Sequence, residues 1–147
     1  MLRYETDLRV RYADTDQMKF AYYGVYFEYF EQGRSDLLRS VGLPYATLES
    51  MGFLLPVIEA HAEYKRSAHY DDLLHIVTIL QARPVARVRL DYEVYNADRN
   101  ELIATGYTIH SFLNAQTGRP TRAPVVFLET LDAAMSDRSP RQAQKSI

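Results

Sequence analysis

The sequence predicts an α+β domain in which one long helix packs against an antiparallel sheet. Apolar residues recur at offsets of three and four between Gly24 and Val41, which indicates a helix of about five turns. The segments that follow alternate in polarity with a period of two. Short polar links join them, so we expect neighbouring antiparallel strands.

Composition is typical of a single globular domain. The chain has 147 residues, 47% of them hydrophobic and 24% charged, which excludes wholesale disorder. The 17 Lys and Arg residues against 19 Asp and Glu residues give a net charge of −2. Because no basic excess is available to neutralise phosphates, we expect no nucleic-acid partner. We assign residues 1–135 to the domain and residues 136–147 to a flexible, polar tail.

Three features predict a cytoplasmic protein. Cysteine is absent, which excludes disulfides and thiolate chemistry and suits a reducing compartment. Charges interrupt the first residues, so no signal peptide is recognisable, and no apolar run approaches the roughly 20 residues that span a bilayer.

The elements follow from these patterns in chain order. Alternation over residues 8–12 predicts a first strand, and the broad aromatic arc of the helix predicts that it is largely buried. Gly42 and Pro44 end that helix, and a short helix follows over residues 45–51. Residues 125–135 fit either a short helix or a strand. The later strands are predicted at 54–64, 73–82, 86–95 and 102–113.

The segment between the first strand and the helix is the main candidate for chemistry. It contains Asp14, Thr15 and Asp16, residue types that also favour helix caps and turns. The following residues, 17–24, are too apolar for a simple solvent turn. A helix N-terminus offers free N–H groups to a developing oxyanion, and a nearby carboxylate can act as general base or nucleophile.

An ordered set of motifs extends from this segment into the later strands. Its members are Asp14-Thr15-Asp16, Tyr22-Tyr23, Tyr26, Tyr29-Phe30-Glu31, Gly33-Arg34, Leu54-Leu55-Pro56-Val57, Tyr64 and Ala68-His69-Tyr70-Asp71-Asp72. In order and spacing this set resembles the 4-hydroxybenzoyl-CoA thioesterase family of hotdog-fold acyl-CoA thioesterases. The resemblance covers roughly residues 4–128.

The resemblance implies a hotdog fold, a long central helix wrapped by a curved antiparallel β-sheet. It implies that Asp16 is the catalytic carboxylate and that a backbone N–H near Tyr23 and Gly24 polarises the thioester oxygen. We expect Tyr22, Tyr23 and Tyr26 to shape the acyl pocket. Subunits of the family pair by joining sheets, with the active site at the dimer interface, and dimers often form tetramers.

No metal and no redox cofactor is implied by the resemblance. His61 and Glu63 lie two residues apart on one strand face and could supply two metal ligands, but no third ligand is near in sequence. We therefore expect no cofactor.

The chain departs from the family pattern next to the candidate carboxylate. Many relatives carry glycine at the position of Lys19, and many carry His or Asn near positions 23–25. Lys19 either contacts an acidic acyl group or points outward. These departures bear on substrate preference more than on the fold.

Basic side chains are candidates for holding the phosphates of coenzyme A. Arg83 and Arg87 suit phosphate through permanent charge and paired donors, and the resemblance places their region near the nucleotide. Arg89 alternates with apolar neighbours and also fits a solvated strand face. The segment 64–67 is a second basic candidate.

A second carboxylate lies on the long helix. Glu31 and Arg34 are three residues apart, so a structural ion pair is the favoured interpretation. Some hotdog thioesterases of another branch take their catalytic carboxylate from the helix, which makes Glu31 the reserve candidate.

These observations predict a homo-oligomeric acyl-CoA thioesterase, a hydrolase that releases a carboxylic acid and free coenzyme A. Two alternatives stay open. One is a thioesterase acting on acyl carrier protein, which a basic surface beside the pocket would favour. The other is a non-catalytic hotdog module that binds acyl-CoA.

Overall fold

The computed structural model describes residues 1–136 and has the predicted α+β architecture. The elements are β1 (Leu2–Arg9), a 3-10 turn (Tyr12–Asp14), α1 (Val25–Ser40), α2 (Tyr45–Ser50), β2 (Phe53–Leu54), β3 (Val57–Tyr64), β4 (Leu73–Leu80), β5 (Arg87–Asn96), β6 (Glu101–Ser111), β7 (Leu113–Asn114) and α3 (Val125–Ser136). Five strands form an antiparallel sheet in the order β1-β4-β5-β6-β3, and α1 packs on it against β1, β4 and β3. The main core lies between α1 and this sheet.

Most predicted elements are confirmed. The long helix begins and ends one residue inside its predicted limits, and α2 follows where the sequence places it. The segment from Val125 is a helix rather than a strand, and it continues to Ser136, the first residue of the expected tail. The rest of that tail lies outside the described residues. Within residues 1–136, no helix is long and apolar enough to span a membrane.

The first strand is the clearest correction, because it occupies Leu2–Arg9 rather than residues 8–12. Its early charges do not oppose strand formation, since they lie together on one face of the sheet. Glu5 pairs with Arg3 (Nη1 to Oε1, 2.7 Å) and with His75 of β4 (Nε2 to Oε2, 3.2 Å). Asp7 contacts the other ring nitrogen of His75.

The predicted strand 54–64 is divided into β2 and β3. Pro56 has no N–H to donate to a ladder, and Leu55 before it is buried. β2 pairs with β7, whereas β3 pairs with β6 at the edge of the main sheet.

The long helix is amphipathic rather than largely buried, contrary to the prediction. Phe27, Glu28 and Glu31 on its outer face are exposed. Its buried residues are Val25, Tyr26, Tyr29, Phe30, Gly33, Arg34, Leu37 and Leu38.

Two glycines let α1 approach the sheet closely. A Cβ atom on Gly33 would lie 2.4 Å from Thr78 Oγ1 and 3.1 Å from Ile76 Cγ2 of β4. A Cβ atom on Gly106 of β6 would lie 2.6 Å from the ring of Phe30. The close approach thus depends on the absence of a side chain at both positions.

We predict that Gly33→Ala destabilises the protein by about 1–3 kcal/mol, because the added Cβ atom would overlap Thr78 Oγ1 and crowd Ile76 Cγ2. Denaturant unfolding measures this loss. Thr78→Ala in the Gly33→Ala background removes the nearest clashing atom and should recover part of it. Equal stability of wild type and Gly33→Ala would contradict the tight contact.

A chain of buried hydrogen bonds links Tyr92 of β5 to Thr108 and His110 of the neighbouring strand β6. Nδ1 of His110 lies 3.2 Å from the carbonyl of Leu55, which only accepts, so Nδ1 carries the proton. Nε2 then accepts from the hydroxyl of Thr108 at 2.9 Å, and that hydroxyl accepts from Tyr92 at 2.6 Å. Burial, with the nearby Arg34 guanidinium, lowers the pKa of His110 to about 4.

We predict that His110 makes stability fall as the pH drops from 7.5 to 5. An unfolded His takes up a proton near its ordinary pKa of 6.5, whereas the folded side chain stays neutral until about pH 4, so acid favours the unfolded state. The loss attributable to His110 is about 2 kcal/mol at pH 5. Unfolding of wild type and His110→Gln at both pH values measures it, and equal pH dependence of the two proteins would refute the prediction.

Candidate functional site

The loop before α1 is held by the buried carboxylate of Asp14. Oδ2 accepts hydrogen bonds from the backbone N–H of Arg11 and from the hydroxyl of Tyr29 on α1, both at 3.0 Å. Oδ1 accepts from Nε and Nη2 of Arg11 at 3.2 and 3.0 Å. Burial by itself raises the pKa of Asp14, but these donors outweigh it and hold the pKa below its usual value. The loop is thereby fixed to the helix.

Asp16 occupies a tight turn that begins two residues later. Its N–H donates to the carbonyl of Phe20, and its carbonyl accepts from the N–H of Lys19, both at 2.9 Å. Oδ1 accepts from the N–H groups of Met18 (2.9 Å) and Phe20 (3.4 Å). None of the hydrogen bonds within residues 1–136 uses Oδ2, so one carboxylate oxygen is held by the backbone and the other is available.

Lys19 adopts a conformation that usually favours glycine. Its φ angle is 67°, in the left-handed region, where a side chain is strained. Glycine would adopt this conformation without strain. The Lys19 side chain is exposed.

A cleft of about 240 Å³ opens beside the Asp16 carboxylate, and we call it the Asp16 cleft. The rings of Tyr23 and Tyr26 lie against Tyr64 of β3, with centroids 4.9 and 5.1 Å apart. The Tyr64 hydroxyl donates to the carbonyl of Tyr23 at 2.8 Å and fixes this aromatic wall. Burial raises the pKa of Tyr26 to about 12, so its hydroxyl stays protonated. The residues that line the cleft are Asp16, Met18, Phe20, Ala21, Tyr23, Tyr26, Tyr64, Lys65, Arg66 and Ser67.

Free backbone donors lie at the start of α1, next to this cleft. Val25, the first helical residue, donates its N–H to the carbonyl of Tyr22 at 3.1 Å. The N–H groups of Tyr23 and Gly24 donate no hydrogen bond within the described residues 1–136. A helix N-terminus with unpaired N–H groups favours negative charge. The arrangement therefore offers a carboxylate and oxyanion donors in one place.

The structure places Asp16, Tyr23 and Tyr26 around one cleft and Gly24 next to Tyr23 at the start of α1, whereas Tyr22 does not line the cleft. The ring of Tyr22 covers Gly24, where a Cβ atom would lie 2.7 Å from Tyr22 Cε2. Tyr22 is 42% exposed and contacts the glycine rather than the cleft.

Arg83 and Arg87 lie far from Asp16 within one chain. They line a separate cavity of about 370 Å³ at the loop between β4 and β5, and Arg83 pairs with Asp132 of α3 (Nε to Oδ1, 2.9 Å). β4 joins this loop to the Asp16 end of the sheet, and its eight residues span about 26 Å. One subunit therefore does not place both groups in one site.

The reserve candidate on α1 also lies elsewhere. Glu31 lines a groove between α1 and β1, not the Asp16 cleft. The expected Glu31–Arg34 ion pair is not formed in the described part of the chain. Nε of Arg34 donates instead to the hydroxyl of Tyr45 at 3.0 Å.

Sequence reasoning missed Met18, Phe20 and Ala21 as cleft residues, although the apolar character of residues 17–24 was the signal that could have found them. Within residues 1–136, no group of three or more His, Asp or Glu side chains could hold a metal ion.

Comparisons with known proteins show the family and the fold of this chain. The family model of the thioesterase-like superfamily matches residues 10–131. A 1,4-dihydroxy-2-naphthoyl-CoA hydrolase from Synechocystis sp. is 31% identical over 104 residues, which are 69% of this chain and 75% of that protein. The structure of a DHNA-CoA thioesterase from Staphylococcus aureus has a TM-score of 0.86 at 28% identity and covers 97% of this chain and 99% of that chain.

A further structure shares the fold at low identity. A mutant 4-hydroxybenzoyl-CoA thioesterase, solved with 4-hydroxybenzoyl-CoA, has a TM-score of 0.79 at 18% identity, and the match covers 88% of this chain and 99% of that chain. The fold and these matches define the class of protein as a hotdog-fold hydrolase acting on thioester bonds. More particularly, the chain belongs to the thioesterase-like superfamily.

We predict that Asp14→Asn lowers kcat, although Asp14 does not line the cleft. An amide cannot accept from Arg11 and Tyr29 at both of its polar atoms, so the loop that carries Asp16 loses part of its anchor.

Tyr29→Phe removes a single hydrogen bond of this anchor and should cost about 1.5–3 kcal/mol of stability. Steady-state kinetics and denaturant unfolding measure the two effects, and wild-type kcat in a folded Asp14→Asn protein would show that the anchor is dispensable.

Proposed function

We propose that the protein hydrolyses an acyl-CoA thioester to a carboxylic acid and free coenzyme A. The carrying observation is that the Asp16 carboxylate shares one cleft with Tyr23, which stands at the start of α1 next to Gly24 and whose N–H donates no hydrogen bond within the described residues. Relatives named for the hydrolysis of CoA thioesters support this substrate class.

The chemistry follows from the two halves of the site. The thioester oxygen accepts from the N–H groups of Tyr23 and Gly24, which stabilise the negative charge that develops on it. Asp16 either attacks the carbonyl carbon, forming an anhydride that water then hydrolyses, or removes a proton from the attacking water. In both routes the C–S bond breaks, the sulfur leaves as the thiolate of coenzyme A, and water supplies the new oxygen of the acid.

The fixed oxygen of Asp16 suits either route. Backbone N–H groups of Met18 and Phe20 hold Oδ1, so the carboxylate does not need to reorganise when Oδ2 reacts. No side chain from residues 1–136 forms an ion pair with Asp16. Its carboxylate is therefore available to accept a proton from water or to attack the carbonyl carbon.

We further propose that the working unit is a homodimer, or a tetramer of such dimers, with the site at the dimer interface. β3 lies at the edge of the sheet, and nearly all of its residues are exposed. The N–H of Lys65 donates to the carbonyl of Ile103 of β6 at 2.9 Å. Because backbone groups alternate in direction along a strand, those of Ala60 and Ala62 point away from β6, to the open edge. An unpaired edge of this length favours pairing with a second copy.

A second subunit would also explain the distant arginines. Because Arg83 and Arg87 lie about 26 Å along β4 from the Asp16 end, we propose that they hold the coenzyme A phosphates of the site in another subunit. The cytoplasmic location stays a prediction from the sequence.

The first test is release of coenzyme A from short, branched, long-chain and aromatic acyl-CoAs. We expect Asp16→Asn to fold normally and to lose at least about a hundredfold in kcat, because the amide neither attacks nor accepts a proton. Glu31→Gln is the matched control on the helix, since Glu31 lies outside the Asp16 cleft.

Four results would change the assignment. Unchanged turnover by Asp16→Asn would remove Asp16 from the reaction, and loss of turnover by Glu31→Gln would move the reaction to the helix. Tight binding of acyl-CoA with no release from any member would indicate a binding module. Release from acyl carrier protein alone would indicate the other alternative substrate.

The dimer proposal predicts that Ala60→Pro both dissociates the protein and lowers its turnover. Proline removes an outward N–H of β3 without removing a bond to β6, so the subunit itself should stay folded. Ala60→Ser, which keeps this outward N–H at the same exposed position, is the control. Light scattering and circular dichroism measure assembly and fold, and an active monomeric Ala60→Pro protein would contradict the interface site.

A further inference from the structure

The Asp16 cleft has an aromatic wall and a basic wall. Lys65, Arg66 and Ser67 directly follow β3 and line the cleft. The N–H groups of Lys65 and Arg66 both donate to the carbonyl of Ile103, at 2.9 and 3.1 Å, so β6 fixes the segment. The cations are therefore presented by rigid backbone.

These positive charges are only weakly compensated within the chain. The exposed Glu63 lies 3.6 Å from Nζ of Lys65, a surface pair that water and salt screen. Arg66 forms no ion pair or side-chain hydrogen bond within residues 1–136. A guanidinium group at the wall of a cleft, with all its donors free, is suited to bind an anionic oxygen of a ligand.

The proposed reaction leaves these cations without a role. The backbone N–H groups of Met18 and Phe20 hold Asp16, and the N–H groups of Tyr23 and Gly24 are available to the oxyanion. The phosphates of coenzyme A are separated from the sulfur by the pantetheine arm. That arm is long compared with a cleft of about 240 Å³ that contains both Asp16 and Arg66. The part of the substrate that fits beside Asp16 is the acyl group.

We propose that the enzyme prefers acyl groups that end in a carboxylate, which Arg66 binds and Lys65 supports. This inference rests on the proposed thioesterase function and names its substrate class. The body of the acyl group lies against the rings of Tyr23, Tyr26 and Tyr64, and its far end meets the basic wall. Arg66 is exposed, and its permanently charged, paired donors suit a charge-assisted hydrogen bond to the carboxylate.

Matched pairs of substrates test the proposal. Glutaryl-CoA and pentanoyl-CoA differ by a terminal carboxylate in place of a methyl group, as do 4-carboxybenzoyl-CoA and 4-methylbenzoyl-CoA. We expect kcat/KM of the wild type to be at least about tenfold higher for glutaryl-CoA than for pentanoyl-CoA, the effect of one hydrogen bond to a charged group. The ring pair reports whether the same preference holds for a rigid acyl group.

Substitutions assign the preference to its residues. Arg66→Gln should reduce the glutaryl-to-pentanoyl ratio of kcat/KM to near one. Lys65→Gln should reduce this ratio less, because Glu63 already neutralises part of the charge of Lys65. Glu63→Gln should raise the ratio. Arg99→Gln, in the exposed turn between β5 and β6, is the control cation and should leave the ratio at its wild-type value.

The outcomes separate this inference from the proposed function. Equal rates for both members of each pair, or faster release from the methyl members, overturn the preference while the thioesterase activity stands. An equal loss for both members in Arg66→Gln shows that Arg66 contacts the coenzyme A common to them, and also overturns it. No release from any acyl-CoA by the folded wild type overturns the proposed function itself.

Discussion

The buried carboxylate of Asp14 joins the loop before the long helix to the helix itself. It accepts hydrogen bonds from Arg11 on one side and from the Tyr29 hydroxyl on the other. A buried carboxylate needs such donors, because desolvation without them would cost several kcal/mol. Because Asp16 lies only two residues later, the hydrogen bonds of Asp14 also constrain its position. The two acids of one short motif thus have different tasks, one in building the loop and one in facing the cleft.

The position of the helix depends on a second constraint, the close packing of α1 on the sheet. Gly33 admits Thr78 and Gly106 admits the ring of Phe30, at distances that a methyl group would make impossible. Phe30 stacks on Tyr92 with ring centroids 4.3 Å apart. Because the helix is rigid, this packing also sets where its N-terminal N–H groups lie relative to Asp16.

The two basic regions of the chain belong to different parts of the proposed substrate. Lys65 and Arg66 line the Asp16 cleft, where the acyl group would bind, whereas Arg83 and Arg87 lie at the far end of β4. An acyl-CoA has its nucleotide far from its acyl group, so one basic region near Asp16 and another far from it suit the two ends of such a substrate. In the proposed dimer, which pairs at the open edge of β3, the second region would be supplied by another subunit.

The sequence by itself determined the type and order of most elements and placed Asp16 in the segment before the long helix, because helical periodicity, glycine stops and a polar run before a helix are local signals. It did not predict that Arg3, Glu5 and Asp7 belong to a strand, since His75, which pairs with two of them, is distant in the chain. Only the tertiary structure placed Arg66 in one cleft with Asp16, and His75 beside Glu5 and Asp7. Those placements depend on strand register and on contacts between segments far apart in sequence, which no local pattern encodes.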